Sequence, residues 1–310
     1  LWLVDPSQWP TEPIGSSSGV SVDATNGQDT LEIRIDRGES FYDGSPAPSG
    51  IFSVTGVFSN FFQTPQIFPF IEGEIVENTN ANFKLALFHN NDGESQLINL
   101  GSGEEDFGGV ARFKTLADEQ RADAESEFAA TLMLSSGDNF LAGPEFNAGL
   151  AAKDVNPTNK FYDAIAIEAI GYDALAMGNH DFDFGPDVYA DFIDDIEADI
   201  PFLSSNLDFS AHAPLAALEA AGRIAPSAVF VRNQEMIGVI GATTTNLRSI
   251  SSPGVVEVQG VQNAVAAQIT ALESMGVNKI ILISHLQGIE EDSALVAGLS
   301  GIDVVIAGGG

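Results

Sequence analysis

The chain has 310 residues, 44% of them hydrophobic, with a mean hydropathy of +0.10, which is enough for a hydrophobic core and argues against general disorder. Its 12 Lys and Arg against 44 Asp and Glu give a formal charge of −32, which argues against nucleic acid polymers as partners, because phosphate binding needs clustered cations. The lack of cysteine excludes disulfides and thiolate metal sites. The lack of any run of 18 apolar residues argues against membrane insertion.

The first 80 residues differ in composition from the rest. They hold 7 of the 14 prolines, and they contain alternating apolar and polar residues at 31–35. Residues 51–58 also have the composition of a strand. We therefore predict a small all-β module over residues 1–80, with its boundary in the polar stretch 77–82.

From residue 81 onward, short apolar runs that suit strands alternate with longer stretches that suit helices. We predict strands at 83–89, 129–135, 174–177, 201–203, 229–232, 236–240, 279–284 and 304–307. We predict helices at 107–124, 160–170, 186–198, 261–275 and 289–299. This alternation predicts a layered α/β domain over residues 81–310. The chain begins at Leu1 and ends at Gly310 directly after an apolar run, so we expect a domain truncated at its C-terminus.

Four of the predicted strands end beside a candidate metal ligand. The strand at 83–89 leads to Asp92 and Glu94, that at 129–135 to Asp138, that at 174–177 to Asn179 and His180, and that at 279–284 to His285. In α/β sheets, ligands bind beyond the carboxyl ends of the strands, so these groups can converge on one site. Oxygen and imidazole ligands together suit divalent cations.

Residues 173–185 read Asp-Ala-Leu-Ala-Met-Gly-Asn-His-Asp-Phe-Asp-Phe-Gly. This segment resembles the Gly-Asn-His-Glu motif of the calcineurin-like metallophosphoesterases, with Asp181 where glutamate is usual. Its continuation through Asp183 and Gly185 is similar to the 5′-nucleotidase branch, of the secreted bacterial type. The order Asp, Gly-Asp, Gly-Asn-His, His over residues 83–310 is also that of this family. The resemblance implies a layered β-sandwich flanked by helices.

The resemblance also implies roles for the residues at the strand ends. Those that match metal ligands are Asp92, Asp138, Asn179 and His285. Asp138 matches the carboxylate that bridges two divalent ions. His180 matches the catalytic histidine that contacts phosphate, Asp183 matches its orienting partner, and Asn139 is a candidate for the phosphate side. The implied activity is metal-dependent hydrolysis of nucleotides or other small phosphate esters, at an extracellular, cell-surface or periplasmic location.

Two departures from the family pattern concern the metal ligands. The family has Asp-x-His where this chain has Asp92-Gly93-Glu94, so Glu94 is either a ligand or a carboxylate nearby. The family has Gly-Gly-His-x-His where this chain has Ala307-Gly308-Gly309-Gly310, so a glycine replaces the first histidine and the second would lie beyond residue 310. A site richer in oxygen favours Mg²⁺, Mn²⁺ or Ca²⁺ over Zn²⁺.

Each candidate residue also has an ordinary structural explanation. Asp138 could be a turn aspartate, His285 a buried histidine at a strand end, and Asn179 a turn residue in the left-handed region. The missing histidines and the acidity keep a second function open. In that alternative, the chain keeps the phosphoesterase fold with an impaired site and serves a structural role at the cell surface through self-assembly.

Overall fold

The computed structural model describes residues 1–10, 19–25, 30–35, 48, 52–54, 57–61, 64–69, 75–77, 83–101, 107–127, 129–233 and 235–309. The chain forms two compact units. The first contains Leu1–Phe83, Phe230–Ile237 and Thr270–Lys279, and the second contains Lys84–Val229, Gly238–Ile269 and Ile280–Gly310. The predicted module boundary at 77–82 lies outside the described residues, apart from Glu77.

The N-terminal part of the chain is built from short strands. In the described residues they are β1 (Trp2–Leu3), β2 (Val20–Thr25), β3 (Thr30–Ile35), β4 (Phe52–Val54), β5 (Val57–Phe61), β6 (Thr64–Phe68) and β7 (Ile75–Glu77). One sheet has the order β1-β2-β3-β6-β5, and β4 pairs with β7 separately. The single strand predicted over 51–58 is therefore wrong, because its described residues belong to two strands in different sheets.

The alternation predicted for residues 31–35 is confirmed and explains the core of this unit. Ile33 and Ile35 are buried on one face of β3, and Val22 and Ala24 are buried on the neighbouring β2. Successive side chains of a strand point to opposite faces, so each strand contributes every second residue to the core. These residues pack in a cluster completed by Leu3, Trp9 and Phe52.

The rest of the described chain alternates strands with helices. The strands are β8 (Leu85–Asn90), β9 (Ala130–Ser135), β10 (Ala174–Ala176), β11 (Phe202–Leu203), β12 (Leu207–Asp208), β13 (Ile224–Ala225), β14 (Ser227–Arg232), β15 (Glu235–Thr243), β16 (Glu257–Val258), β17 (Ile280–His285) and β18 (Val304–Gly308). The helices are α1 (Val110–Ser126), α2 (Pro144–Val155), α3 (Tyr162–Ile170), α4 (Pro186–Asp195), α5 (Ala213–Ala220), α6 (Leu247–Ile250), α7 (Val261–Ser274) and α8 (Ile289–Ala297). None of these helices is long and apolar enough to cross a bilayer.

Two main sheets form the layered α/β architecture that the sequence predicts. Their strand orders are β13-β11-β10-β9-β8 and β14-β15-β17-β18. The two sheets come into close contact near the carboxyl ends of their strands. The backbone N–H of Ser205 donates to the carbonyl of Gly241 at 2.8 Å, and a methyl group at position 241 would lie only 2.2 Å from the Leu203 carbonyl oxygen. A glycine at 241 is therefore what allows the two sheets to approach.

A cluster of buried aromatic rings packs α2, α3 and α4 beside the first of these sheets. Phe146 of α2 stacks on Phe140 at a centroid distance of 4.2 Å and on Phe161 at 5.0 Å, and Phe192 of α4 packs against all three. Helix α2 is absent from the sequence prediction, although Pro144 occupies its first turn, a favoured position for proline. The cluster fixes the segment that follows β9, which carries one of the candidate ligands.

Candidate metal centre

The predicted ligands from four separate strands meet at one end of the two sheets. Carboxylate oxygens of Asp92 and Asp138 and an imidazole nitrogen of His285 all lie within 4.8 Å of one another. A second group, formed by Glu94, Asp138 and His180, meets the same criterion. The two groups share Asp138, so this carboxylate lies between two places at which a cation could bind.

Asp138 is buried and held by contacts on both carboxylate oxygens. The backbone N–H of His180 donates to Oδ1 at 2.8 Å, and Nε2 of His285 lies 3.0 Å from Oδ2. The glycines around Asp138 are required by space: a methyl group at Gly178 would lie 2.1 Å from Oδ1, and one at Gly137 would lie 2.8 Å from the Gly178 nitrogen. These clashes give a physical reason for a glycine before Asp138 and another before Asn179.

The fully buried His285 points its Nε2 atom at this centre. Its Nδ1–H donates to the Ser136 carbonyl at 2.7 Å, which leaves Nε2 facing Asp138 Oδ2 and, at 3.1 Å, Asn179 Oδ1. Burial acts to lower the pKa of His285, but the hydrogen bond and charge of Asp138 outweigh it, so the pKa is raised. Asp138 Oδ2, Asn179 Oδ1 and His285 Nε2 thus lie close together. Either a proton on Nε2 or a divalent cation relieves the repulsion between their lone pairs. The donor set therefore fits a divalent cation.

Asp92 lies on a strained loop fastened to the Asp138 turn. Asp92, Glu94 and Ser95 have φ of 51°, 46° and 59°, in the left-handed region that residues with side chains seldom adopt. The Asp92 N–H donates to the Gly137 carbonyl, and the Glu94 N–H donates to the Asp138 carbonyl, both at 3.1 Å. These two hydrogen bonds hold the carboxylate-bearing loop against the Asp138 turn.

Gly309 matches the second glycine of the Gly-Gly pair in the family's last motif, and its surroundings require a glycine. The Gly309 N–H donates to Asp92 Oδ1 at 3.2 Å, and φ is 82°. A methyl group here would lie 2.1 Å from the Leu286 carbonyl oxygen and 3.0 Å from His285 Nε2. Position 309 therefore has no room for a side chain, and the position that matches the family's first histidine is Gly310. Gly310 lies outside the described residues.

His180 and Asp183 form a hydrogen-bonded pair at the edge of the centre. Nδ1 of His180 donates to Asp183 Oδ2 at 2.6 Å, and the Ser251 hydroxyl donates to the other oxygen of Asp183 at 2.8 Å. Burial acts to lower the pKa of His180, but the hydrogen bond to Asp183 and nearby carboxylate charges outweigh it, so the pKa is raised. Because Nδ1 is used, Nε2 is the nitrogen left to meet a ligand, and the ring is still about one-third exposed.

Asp181 is a buried residue to which the sequence analysis gave no role. Its carboxylate accepts the Gly178 N–H at 2.8 Å and the Asn139 N–H at 3.0 Å, which ties together the two turns that carry Asp138 and Asn179. Burial, followed by the charge of Asp138, raises the pKa of Asp181 to about 7. The position of Asp181 in the Gly-Asn-His-Asp segment was the only feature of the sequence that could have indicated this role in tying the two turns together.

Asn139 supports this arrangement through hydrogen bonds of its side chain. Its amide donates to Asp181 Oδ2 and to the Ala176 carbonyl, both at 3.2 Å, and its Oδ1 accepts the Ser135 hydroxyl at 2.9 Å. The side chain is thereby directed toward the protein interior. These hydrogen bonds hold the turn after β9, and the place of Asn139 on the phosphate side stays a prediction.

Known proteins share both the sequence and the fold. No family model matches the sequence. The 5′-nucleotidase of Diplobatis ommata is 33% identical over 239 residues, which are 74% of this chain and 37% of that protein. The structure of the 5′-nucleotidase precursor from Thermus thermophilus matches with a TM-score of 0.60 and 33% identity, over 73% of this chain and 41% of that one. The chain is a homologue of the 5′-nucleotidases and shares their metallophosphoesterase fold.

The family assignment confirms the resemblance drawn from residues 173–185 and the fold that it implied. A calcineurin-like phosphoesterase from Bacillus subtilis, only 21% identical, has the same fold, with a TM-score of 0.57 over 72% of this chain and 71% of that one. The chain spans about two fifths of the length of its 5′-nucleotidase relatives.

Proposed function

We propose that this protein hydrolyses nucleotides or other small phosphate esters in a reaction that depends on divalent cations. The observation that carries this proposal is the place of Asp138, whose carboxylate lies between the Asp92–His285 pair and the Glu94–His180 pair at the strand ends. Such a shared carboxylate suits two neighbouring cations. The 5′-nucleotidase relatives support nucleotides as the substrate class.

The residues that would hold the cations are Asp92, Asp138, Asn179 and His285. Bound divalent ions would neutralise charge on the phosphoryl group and lower the pKa of a water molecule. Most of the donor atoms are oxygens, so we propose Mg²⁺, Mn²⁺ or Ca²⁺ in preference to Zn²⁺. The formal charge of −32 disfavours a phosphate ester near this surface, and the cations would supply the local positive charge that counters it.

His180 would act on the phosphate side, with Asp183 as its orienting partner. Asp183 accepts the Nδ1–H, which fixes the ring orientation and favours a proton on Nε2. A protonated Nε2 can donate a hydrogen bond to a phosphate oxygen or give its proton to the leaving oxygen. The raised pKa of His180 keeps this donor protonated to higher pH than an isolated histidine.

Two further proposals concern organisation and location. We propose that residues 1–80 form a separate β module, because Val22, Ile33 and Phe52 are buried in a cluster of their own. We also propose an extracellular, cell-surface or periplasmic location, on the basis of the family resemblance and the acidic composition. The alternative of an impaired, self-assembling structural protein is not favoured, since the relatives are named as nucleotidases.

The proposed activity is tested by phosphate release from AMP and p-nitrophenyl phosphate. The full-length protein is freed of metal and assayed with Mg²⁺, Mn²⁺, Ca²⁺ and Zn²⁺ separately. We expect Asp138→Asn to abolish activity and His180→Asn to lower kcat by about 10²- to 10⁴-fold. The matched control is Asp123→Asn, which removes an exposed carboxylate on α1. Hydrolysis without added metal, or full activity in Asp138→Asn, would overturn the proposal.

A further inference from the structure

Glu94 stands at the centre at a position where the family pattern has histidine. Its carboxylate oxygen, Asp138 and His180 lie within 4.8 Å of one another, whereas Asp92 groups with Asp138 and His285 instead. The two acidic side chains of the Asp92-Gly93-Glu94 segment thus belong to different groups, which share Asp138. Each group therefore contains one of these two carboxylates in addition to that of Asp138.

The backbone and the charge environment both keep Glu94 at this place. Its φ of 46° is a left-handed conformation, fixed by the hydrogen bond from its N–H to the Asp138 carbonyl at 3.1 Å. The side chain is half-buried, and its carboxylate lies within 4.8 Å of a ring nitrogen of His180. Within the described ranges, no lysine or arginine forms an ion pair with Glu94. A half-buried carboxylate beside another carboxylate is stabilised by a cation.

We propose that Glu94 is a ligand of a second cation position that shares Asp138 with the first, and that its carboxylate makes this position selective for Mn²⁺ over Zn²⁺. The inference rests on the metal-dependent function proposed above. It extends that function by assigning the metal preference to one side chain that departs from the family pattern.

The donor types on the two sides of Asp138 explain the expected selectivity. On the first side, His285 offers a fully buried nitrogen together with Asp92. On the second side, Glu94 replaces a nitrogen donor with an oxygen donor that can bind through one or both oxygens. Zn²⁺ favours tetrahedral sites with nitrogen and sulfur ligands, whereas Mn²⁺ accepts oxygen ligands in a higher coordination number. Exchange of Glu94 for histidine should therefore move the preference toward Zn²⁺.

The test measures metal binding itself. The full-length protein, freed of metal, is titrated with Mn²⁺ and separately with Zn²⁺ by calorimetry, and the Mn²⁺ form is examined by electron paramagnetic resonance. We expect the unmodified protein to bind two Mn²⁺ per chain with the spectrum of a coupled pair. Glu94→Gln should bind one Mn²⁺ in the range of the tighter site, with the second weakened at least about tenfold. Glu94→His should raise the affinity for Zn²⁺ relative to Mn²⁺ at the second position by at least about tenfold.

The control is Glu119→Gln, which removes an exposed glutamate on α1 and should change neither stoichiometry nor spectrum. Circular dichroism of each variant verifies the fold. Two coupled Mn²⁺ in Glu94→Gln, or a single Mn²⁺ in the unmodified protein, would refute the role of Glu94. If the unmodified protein binds two Mn²⁺ but releases no phosphate from AMP, the proposed function fails while the assignment of Glu94 stands.

Discussion

Replacement of Asp163 with asparagine should stabilise the protein at neutral pH and should do so less as the pH falls. Asp163 lies in the first turn of α3 and is only 2% exposed. Neither of its carboxylate oxygens has a hydrogen-bond partner among the described residues. The nearby Ser95 hydroxyl is engaged with Leu141, since it donates to the carbonyl at 3.3 Å and accepts the N–H at 3.1 Å. The structure therefore places in the interior a carboxyl group that has no hydrogen bond of good geometry among the described residues.

The magnitude follows from the pKa of this group. Burial raises the pKa of Asp163 from 3.8 to about 6, although the nearby Ser95 hydroxyl and the backbone N–H of Asp163 act to lower it, and the charge of Glu145 adds a smaller rise. A difference of about two pKa units between the folded and unfolded states corresponds to about 3 kcal/mol. Because the folded pKa is the higher one, folding favours the protonated form. The cost of ionisation is absent below pH 4, grows between pH 4 and 6, and is complete above pH 6.

Urea denaturation at several pH values measures this effect. We expect Asp163→Asn to exceed the unmodified protein in free energy of unfolding by about 3 kcal/mol at pH 7.5, and by little at pH 4. Asp123→Asn, on the exposed surface of α1, should show no such pH-dependent difference. An Asp163→Asn protein that is less stable at pH 7.5 would show that the carboxylate has a stabilising partner, and one that is equally stabilised at both pH values would show that ionisation is not the cause. Either result would refute the reasoning.

Three further substitutions test how the structure holds the centre and the core. Gly178→Ala should weaken the Mn²⁺ binding measured by calorimetry and leave the circular dichroism spectrum unchanged, because the new methyl group would lie 2.1 Å from Asp138 Oδ1. An unaltered Mn²⁺ affinity would contradict this close approach. Ser251→Ala removes the hydroxyl that donates to Asp183 at 2.8 Å. The kcat for AMP should fall a few-fold, the equivalent of about 1 kcal/mol, with KM unchanged. A change confined to KM would argue against a role of Ser251 in positioning Asp183. Phe146→Ala removes the ring at the middle of the aromatic stack and should cost about 3–5 kcal/mol in the free energy of unfolding, whereas a loss under about 1 kcal/mol would contradict the packing.

Much of the metal centre could be predicted because its residues follow apolar strands directly. A buried strand such as β17 has a short, local sequence pattern, and parallel strands bring their carboxyl ends to the same edge of a sheet. The positions of Asp92, Asp138, Asn179 and His285 follow from that rule together with the order of motifs along the chain. Their convergence in the structure agrees with this prediction, and their roles as ligands stay a prediction.

The features that could not be predicted depend on packing between segments far apart in the sequence. Helix α2 is stabilised chiefly by the burial of Phe146 among rings from three other segments, and its local pattern is weak. The burial of Asp163 likewise depends on tertiary contacts that local charge does not show. The clash at Gly309 involves Leu286, which belongs to the segment after another strand. Each of these features depends on contacts between segments that are far apart in the chain, and a local stretch of sequence does not show such contacts.

The most direct test of the metal centre is a crystal structure of the full-length protein soaked with Mn²⁺, with data collected for anomalous scattering. Two anomalous peaks on either side of the Asp138 carboxylate, one near Asp92 and His285 and one near Glu94, are the expected result. The absence of any peak at Asp138 at millimolar Mn²⁺, or peaks only elsewhere on the acidic surface, would contradict the proposed centre.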